Sequence, residues 1–430
     1  MKVNNTMKLK NYFAKIGADR SLLILYVLAA IGSAVTIARF GALYYPDTNS
    51  YYDAWANNLI AGRIDVWRTP VYPIFLGLVK WIFGRYSDFM AICLQHLIFL
   101  VSIRYFYRLA MRFINSKKIV FGLTLLYIFP FMIWHNILET ESLTLSGFVF
   151  LLYVVYTLRT EFSVGLMIVF LSLLVGLLFL RPASVYLLPV LFLWWGIVGC
   201  KEKQYKTALC GMACVLFAMM SVLGYMKAVE KEYDLFTISK IGLLNQLVIA
   251  FDRDLINTDI IQDADLRISI DECLATGRGG FDAAWYLLNQ HDAKKLAKAI
   301  RDSYCSNPIK YIEHTLSYIQ LTRKHGLVII DHPNLAIVLD ILGVNEGSFY
   351  LFLVLYTIIL LLWMIKNKTI PSNSVLLYML GVSHFIVVVV GAPNDWKRLL
   401  MASFPIYLLM LGQFCRLFFR LNPADRTLFS

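Results

Sequence analysis

The chain has 430 residues, of which 59% are hydrophobic and only 16% are charged, and its formal net charge is +12. A soluble protein of this length carries about 25% charged residues, so the composition excludes an ordinary soluble globular protein and favours a chain whose solvent is largely the lipid bilayer. The positive charge would fit a nucleic-acid-binding protein, but its distribution along the chain indicates a membrane-topology signal instead.

Apolar runs long enough to cross a bilayer recur along the chain. A spanning helix needs about 20 largely apolar residues. The first such run, Ser21 to Phe40, is too long for the core of a signal peptide, so we predict that it is an uncleaved first span. The sequence predicts spans over 21–40, 89–107, 119–135, 141–158, 164–180, 183–199, 207–226, 349–365, 373–391 and 399–418. We therefore expect an all-α polytopic membrane protein with about 10–11 transmembrane helices.

The Lys and Arg residues lie in alternate predicted loops. Nineteen of them, against four acidic residues, lie on the same side as the N-terminus. Cytoplasmic loops are the ones enriched in Lys and Arg, so both termini are predicted to be cytoplasmic. This local surplus exceeds the net charge of the whole chain, and we therefore expect no nucleic-acid partner.

The predicted spans divide the chain into three regions. These are an N-terminal membrane module (1–226) that contains the first outer loop (40–88), an outer loop region (227–347), and C-terminal transmembrane helices with a cytoplasmic tail (348–430). The outer region has helical patterns over Ala283–Ile300 and Pro308–Lys324, which predict a small, mostly helical cap. Val71–Gly84 is short for a span and is predicted to lie in the membrane interface or to re-enter the membrane. Residues 326–344 are kept on the outer surface, because one extra crossing would invert every later loop.

The first outer loop combines an acid, aromatic side chains and an arginine. Asp47 follows the first span, and residues 49–61 have the spacing of a short helix that ends at Gly62. A carboxylate here can act as a general base towards a hydroxyl acceptor, or it can simply cap the short helix. Arg68 can neutralise a departing phosphate, or it can brace the proline-containing turn that follows.

Short turns on the same predicted face add further charges, namely Glu139, Glu141, Arg181, Lys397 and Arg398. The two glutamates also lie where a helix begins, and the N-terminus of a helix stabilises a carboxylate without any catalytic role. The basic residues are also of the kind that anchor helix ends at lipid headgroups. Both interpretations stay open for these side chains.

Several short motifs occur in order on this face: Asp47-x3-Tyr51, Arg68-Thr-Pro-x-Tyr-Pro73, Thr140-Glu141-Ser-Leu, Leu180-Arg181-Pro182, and Arg398 followed by Pro405. Together they resemble the glycosyltransferase C (GT-C) superfamily, in particular bacterial members similar to protein O-mannosyltransferases and the aminoarabinose transferase of lipid A. The resemblance covers most of the membrane region and implies a GT-C-like helical bundle with interfacial helices in the first outer loop. Several kinds of relative have an Asp-Glu pair where this chain has Asp47-Thr48, so the position of a second acid stays open between Glu139 and Glu141.

The resemblance also implies a reaction. A sugar would pass from a polyprenyl-phosphate donor to a glycan, lipid or protein acceptor of the cell envelope, on the outer face of the bacterial cytoplasmic (inner) membrane. The implied roles are catalytic for Asp47 and Glu141, donor-phosphate binding for Arg68, Arg181, Lys397 and Arg398, and substrate binding for Tyr51, Tyr72 and Glu139.

No metal signature is present, because the chain has neither CxxC nor HExxH spacing. The sequence identifies no particular cofactor, and it leaves open a divalent metal ion that has no recognisable motif. The outer-face histidines are predicted to be structural or surface residues: His135, His314, His325 and His332. Cys273 and Cys305 lie in the same outer region, either as a disulfide or as two thiols.

Two other functions fit parts of the pattern. An O-antigen polymerase or ligase also has many spans and a late outer loop, but does not usually carry its main polar motif after the first span. A lipid or solute transporter holds ionisable residues near the bilayer midplane on broken helices, and such residues are nearly missing from the predicted span interiors.

Overall fold

A computed structural model describes residues 20–114, 116–321, 346–367, 372–392, 399–400 and 402–421 of the protein. Within these ranges all regular elements are helical, apart from one isolated backbone bridge, which confirms the expected all-α class. The expected positions of 326–344, Lys397, Arg398, His325 and His332 fall outside the described residues.

The first helix, α1 (Arg20–Phe40), leads into a connecting segment that carries the predicted short helix. That helix consists of three consecutive pieces: α2 (Thr48–Asp53), a π-helical turn (Ala54–Asn58) and a 3-10 turn (Leu59–Ala61). It ends at Gly62, whose φ of 69° lies in the left-handed region that side chains with a Cβ disfavour. The predicted helix over 49–61 is therefore confirmed, together with the residue that ends it.

Two helices follow, α3 (Val71–Phe83) and α4 (Ser87–Phe113), separated by a tight turn at Gly84 with φ of 54°. The Tyr72 hydroxyl donates a hydrogen bond to Gln95 Oε1 at 2.9 Å. These two residues lie at similar distances from the turn, so α3 folds back along α4. The other face of α3 is apolar and exposed, with Trp81 79% accessible. Its predicted location in the membrane interface stays a prediction.

The next five helices are α5 (Lys117–Ile128), α6 (Thr140–Thr160), α7 (Val164–Leu180), α8 (Leu187–Glu202) and α9 (Tyr205–Tyr233). The prediction of one helix over 119–135 was wrong, because α5 ends at Ile128 and two 3-10 turns follow. Pro130 lies in the first of these turns, and proline removes a backbone donor and disfavours the helical continuation. After this early end of α5, Ile137 and Glu139 have extended backbone conformations, and the functional site uses this stretch.

Residues 241–321, here called the cap segment, form five shorter helices: α10 (Ile241–Asp252), α11 (Ala264–Ala275), α12 (Gly280–Gln290), α13 (Ala293–Ser306) and α14 (Pro308–Leu321). The single helix predicted over 283–300 is two helices, because the Asp292 carboxylate caps the N–H groups of Lys294 and Lys295 and starts α13. A separate cluster of buried apolar side chains, including Leu247, Leu287 and Leu296, holds the cap segment together.

The C-terminal helices are α15 (Glu346–Asn367), α16 (Ser372–Gly391) and α17 (Phe404–Leu421). A large apolar core joins them to α1 and α3–α9. Six apolar stretches in the described part are long enough to cross a membrane: Arg20–Phe40, Val71–Phe113, Thr140–Thr160, Pro182–Glu202, Tyr205–Tyr233 and Ser374–Gly391. Four shorter helices are also apolar: Val164–Leu180, Ile241–Asp252, Leu351–Ile365 and Phe404–Cys415. The protein is thus an all-α membrane protein, and the predicted total of 10–11 spans stays a prediction.

Candidate functional site

A parallel backbone bridge brings the first connecting segment to the turn before α6. Leu43 donates its N–H to the Asn136 carbonyl at 2.8 Å, and Leu138 donates its N–H to the Leu43 carbonyl at 3.0 Å. The Thr48 hydroxyl adds a bond of 3.2 Å to the Leu138 carbonyl. As a result, Asp47 at the start of α2 lies near Glu139 at the start of α6, although 92 positions separate them in the chain.

A buried network of polar side chains holds this backbone bridge in place. The Asn136 side-chain amide donates to the Gly41 carbonyl at 2.7 Å, and its Oδ1 lies 3.0 Å from His96 Nε2. The other ring nitrogen of His96 lies 3.0 Å from the Ser33 hydroxyl. Gln95 donates to the Ile137 carbonyl at 2.9 Å. Buried polar groups need such partners, so the network fixes the turn before α6 in one position.

Arg68 is the hub of the site. Its guanidinium donates to Asp47 Oδ1 at 2.7 Å and to the Ser50 hydroxyl at 2.7 Å, and its third bond, of 3.4 Å, goes to the Tyr51 hydroxyl. The guanidinium also lies over the Tyr51 ring, 4.5 Å from its centroid. The buried Asp65 carboxylate accepts the backbone N–H of Arg68 at 2.6 Å, which holds the arginine in place. Within the described residues, each of the three guanidinium nitrogens therefore has a bonded partner.

Asp47 is the more open partner of the ion pair, with its side chain 36% accessible against 11% for Arg68. It occupies the N-cap position of α2, but its carboxylate makes no capping bond to the helix. The capping interpretation therefore does not account for this side chain, whereas the pairing with Arg68 does. The bonds of Arg68 to Asp47 and Ser50 support the bracing interpretation, and its role in phosphate binding stays a prediction.

Tyr51 links this pair to the first glutamate. Its hydroxyl donates to Glu139 Oε2 at 3.2 Å, and its ring packs edge-on against Tyr72, with centroids 4.9 Å apart. Burial, followed by the negative charge of Glu139, raises the pKa of Tyr51 well above its ordinary value, so the phenol stays neutral and serves as a donor. Burial lowers the pKa of Arg68, but negative charge on its neighbours, Asp47 and Glu139 among them, raises it by more, so the guanidinium keeps its charge.

A second ion pair lies at the start of α6. Glu141 Oε1 is 3.7 Å from the nearest guanidinium nitrogen of Arg181, and both side chains are almost fully buried. Arg181 stands where α7 ends and Pro182 opens a 3-10 turn. The charge of Glu141 contributes to the raised pKa of Tyr51, so the two pairs share one electrostatic environment.

The structure thus brings most of the predicted site residues together. Asp47, Arg68, Tyr51 and Glu139 form a continuous chain of contacts, and Tyr72 packs against Tyr51. The Glu141–Arg181 pair lies beside this chain of contacts, and the predictions for Lys397 and Arg398 fall outside the described residues. Whether these groups bind donor or acceptor stays a prediction.

Sequence reasoning missed the supporting residues: Ser50, Gln95, His96 and Asn136. A signal for two of them was present, because Gln95 and His96 are adjacent polar residues inside an apolar predicted span, and polar residues at such positions are costly unless they have partners.

His135, predicted to be a structural or surface residue, is buried, lies 2.7 Å from the Ser142 hydroxyl and stacks on Phe99.

The carboxylates of the site are paired with arginine and tyrosine rather than grouped with one another. Across the described ranges no three His, Cys, Asp or Glu side chains come close enough to hold a metal ion. Cys273 and Cys305 are both free thiols, the first buried and the second exposed.

The fold and site together define the class of this chain: an all-α membrane protein with a paired acidic and basic site between its first connecting segment and the start of α6. No protein-family profile matches the chain, and no curated protein sequence is significantly similar to it.

Proposed function

We propose that the protein is an integral membrane glycosyltransferase that transfers a sugar from a polyprenyl-phosphate donor to a hydroxyl group of a glycan, lipid or protein acceptor. The observation that carries the proposal is the 2.7 Å pair between Asp47, a partly accessible carboxylate, and the guanidinium of Arg68, which puts an acid and a fixed positive charge in one place. A hydroxyl acceptor needs a base, and a phosphate leaving group needs fixed positive charge.

In the proposed reaction, Asp47 removes the proton of the acceptor hydroxyl as its oxygen attacks the anomeric carbon of the donor sugar. The bond between that carbon and the phosphate oxygen breaks, with inversion, and the polyprenyl phosphate leaves with the bonding electrons. Arg68 and Arg181 hold the negative charge on the departing phosphate. Tyr51 and Glu139 keep Arg68 and the short helix aligned during this step.

The site is proposed to face the outside of the bacterial cytoplasmic membrane, with both termini in the cytoplasm. This orientation follows from the positive charge of the loops on the N-terminal side. A lipid-linked donor then presents its sugar at the membrane surface, where the first connecting segment would meet it. Lys397 and Arg398 remain proposed phosphate ligands on the same face.

The substitution Asp47→Asn tests the proposal. We expect transfer to fall by about 10²–10⁴-fold, which is the usual contribution of a general base. The amide oxygen still accepts a bond from Arg68, so the unfolding temperature should change little. The measurement is transfer of radiolabel from a panel of polyprenyl-phosphate sugars by the purified protein, with isolated cell-envelope material as acceptor.

Asp53→Asn is the matched control, because Asp53 ends the same short helix, is exposed and lies outside the Arg68 cluster. It should retain full transfer. Full activity of the Asp47→Asn protein would overturn the assignment of the base. Transfer from a polyprenyl-diphosphate oligosaccharide, with none from any monophosphate donor, would replace the proposed donor class with that of a polymerase or ligase.

A further inference from the structure

A cavity lies in the cap segment, apart from the Asp47 site. It has a volume of about 300 Å³ and opens between the 3-10 turn at Thr258–Ile260, the end of α13 and the start of α14. Pockets that bind small molecules begin at about this size. The cavity is therefore large enough to hold part of a ligand rather than single waters.

One wall of the cavity is aromatic. Tyr304 and Tyr311 lie one above the other with ring centroids 4.6 Å apart and planes inclined by 33°. The Tyr304 hydroxyl donates to the Gln246 carbonyl at 2.9 Å, which fixes its ring on α10. Tyr311 is half-buried, so part of its ring can meet a ligand. An aromatic wall of this kind suits the apolar C–H face of a ring-shaped ligand.

The remaining walls are mostly polar and carry little net charge, with Leu255 and Ile256 as the apolar exceptions. Thr258, Ser306 and Asn307 contribute uncharged groups that both donate and accept hydrogen bonds. The charged lining residues are Asp259 and Lys310, one of each sign. Such a lining offers no excess positive charge to a phosphate, whereas it matches the alternating donors and acceptors of a polyhydroxylated ligand.

The polar wall is held in place by the backbone. Asn257 receives the Asp259 N–H at 3.2 Å on its side-chain oxygen, and the Asn307 side-chain oxygen receives the Lys310 N–H at 3.0 Å. The Lys310 ammonium donates to the Asp254 carbonyl at 2.7 Å. The cavity is therefore preformed, which reduces the ordering cost that binding would otherwise carry.

We propose that this cavity binds a sugar unit of an oligosaccharide, through stacking on Tyr311 and hydrogen bonds to the polar wall. That this oligosaccharide is the acceptor of the transfer rests on the proposed function, whereas saccharide binding itself does not.

The position of α10 connects the cavity to the Asp47 site. Lys240, just before α10, donates its N–H to the Val66 carbonyl at 2.7 Å, two residues from Arg68. Gln246, which holds Tyr304, lies six residues further along, or about 9 Å at 1.5 Å per helical residue. The helix that fixes the aromatic wall is therefore bonded to the segment that carries Arg68, and this is the direction in which a longer acceptor chain would have to extend.

The test is direct binding by the full-length protein, purified in a detergent without a sugar headgroup. Fluorescently labelled protein is applied to an array of neutral and acidic oligosaccharides, and the strongest one is then titrated. Tyr311→Ala should weaken its binding by at least about tenfold, as expected for an aromatic anchor. Tyr311→Phe keeps the ring and should bind as the wild type does. Ile309→Ala is the matched control, because Ile309 is exposed on the same helix and does not line the cavity.

Thr258→Val removes one hydroxyl from the polar wall without changing its shape, so it reports on the cavity if Tyr311→Ala fails to fold. Equal binding by the wild type and by every folded variant among Tyr311→Ala and Thr258→Val would overturn the proposal, as would an array on which the wild type binds nothing. Binding without transfer by the wild type would overturn the proposed function and leave the saccharide site standing.

Discussion

At the scale of single residues, Tyr51 links the first connecting segment, which carries Arg68, to the start of α6, which carries Glu139. The Tyr51 hydroxyl donates to Glu139 and accepts a bond from Arg68, and the residue is only 6% accessible. Both partners belong to the charged groups of the site, so this hydroxyl is bonded to an anion on one side and a cation on the other. Hydrogen bonds to charged groups are stronger than neutral ones.

Tyr51→Phe tests this link. Removing the hydroxyl leaves two buried charged groups each one partner short, and we expect a loss of about 1–3 kcal/mol in the free energy of unfolding. Thermal unfolding in detergent measures the change. Tyr86→Phe is the control, because Tyr86 is 57% accessible and its hydroxyl bonds only at the surface; the expected change is within about 0.5 kcal/mol. Equal stability of the two variants would show that the Tyr51 hydroxyl does not link Glu139 to Arg68.

At the scale of elements, the close approach of α8 and α9 depends on a glycine. A Cβ atom at Gly211 would lie 2.4 Å from the ring of Trp195, which is fully buried and has no room to move. Real Cβ contacts are never this short. Gly224 in the same helix has nothing within 4 Å of the corresponding position. The two glycines of α9 therefore have different roles: one permits packing and the other merely occupies the helix.

Gly211→Ala and Gly224→Ala form a matched pair for this contact. Overpacking at Gly211 should cost about 1–3 kcal/mol. At Gly224 the better helix propensity of alanine should raise stability by up to about 1 kcal/mol. The unfolding temperatures of the two proteins in detergent provide the measurement. If both variants shift in the same direction, the packing of α9 on Trp195 is not as described.

At the scale of the whole molecule, the cap segment attaches to the membrane core beside the functional site. The Trp67 ring packs on Trp285 of α12 with centroids 5.0 Å apart, and the Ser239 hydroxyl donates to the Trp67 carbonyl. Trp67 precedes Arg68 in the chain, so the cap segment contacts the same short stretch that supplies the hub of the site. This arrangement places the cap segment on the face proposed to be extracytoplasmic.

Two exposed cysteines test that orientation. Cys305 lies near the end of α13 in the cap segment, and Cys200 lies near the end of α8 beside Lys201. In single-cysteine variants, a membrane-impermeant maleimide should label Cys305 in cells with an opened outer envelope. It should label Cys200 only after the cytoplasmic membrane is permeabilised. The reverse pattern would contradict the proposed topology.

The sequence by itself determined the class of the protein and part of the site. Composition and apolar runs identified a helical membrane protein, since bilayer solvation acts on every segment separately. Local spacing identified the short helix that ends at Gly62 and placed Asp47 just before its start, whereas the choice of Asp47 as a candidate base came from the family resemblance. Local rules also failed in places, because Pro130 and Asp292 each end or start a helix inside a continuous helical pattern.

Only the tertiary structure decided which charges meet. Asp47 pairs with Arg68 across 21 positions and Tyr51 bonds Glu139 across 88. The backbone bridge between Leu43 and Ile137 brings Tyr51 and Glu139 close enough for the second of these bonds. The periodicity of apolar residues shows which face of a helix is buried. It does not show which distant segment of the chain that face packs against. That choice follows from packing and from the need of buried polar groups such as His96 and Gln95 for partners elsewhere in the chain.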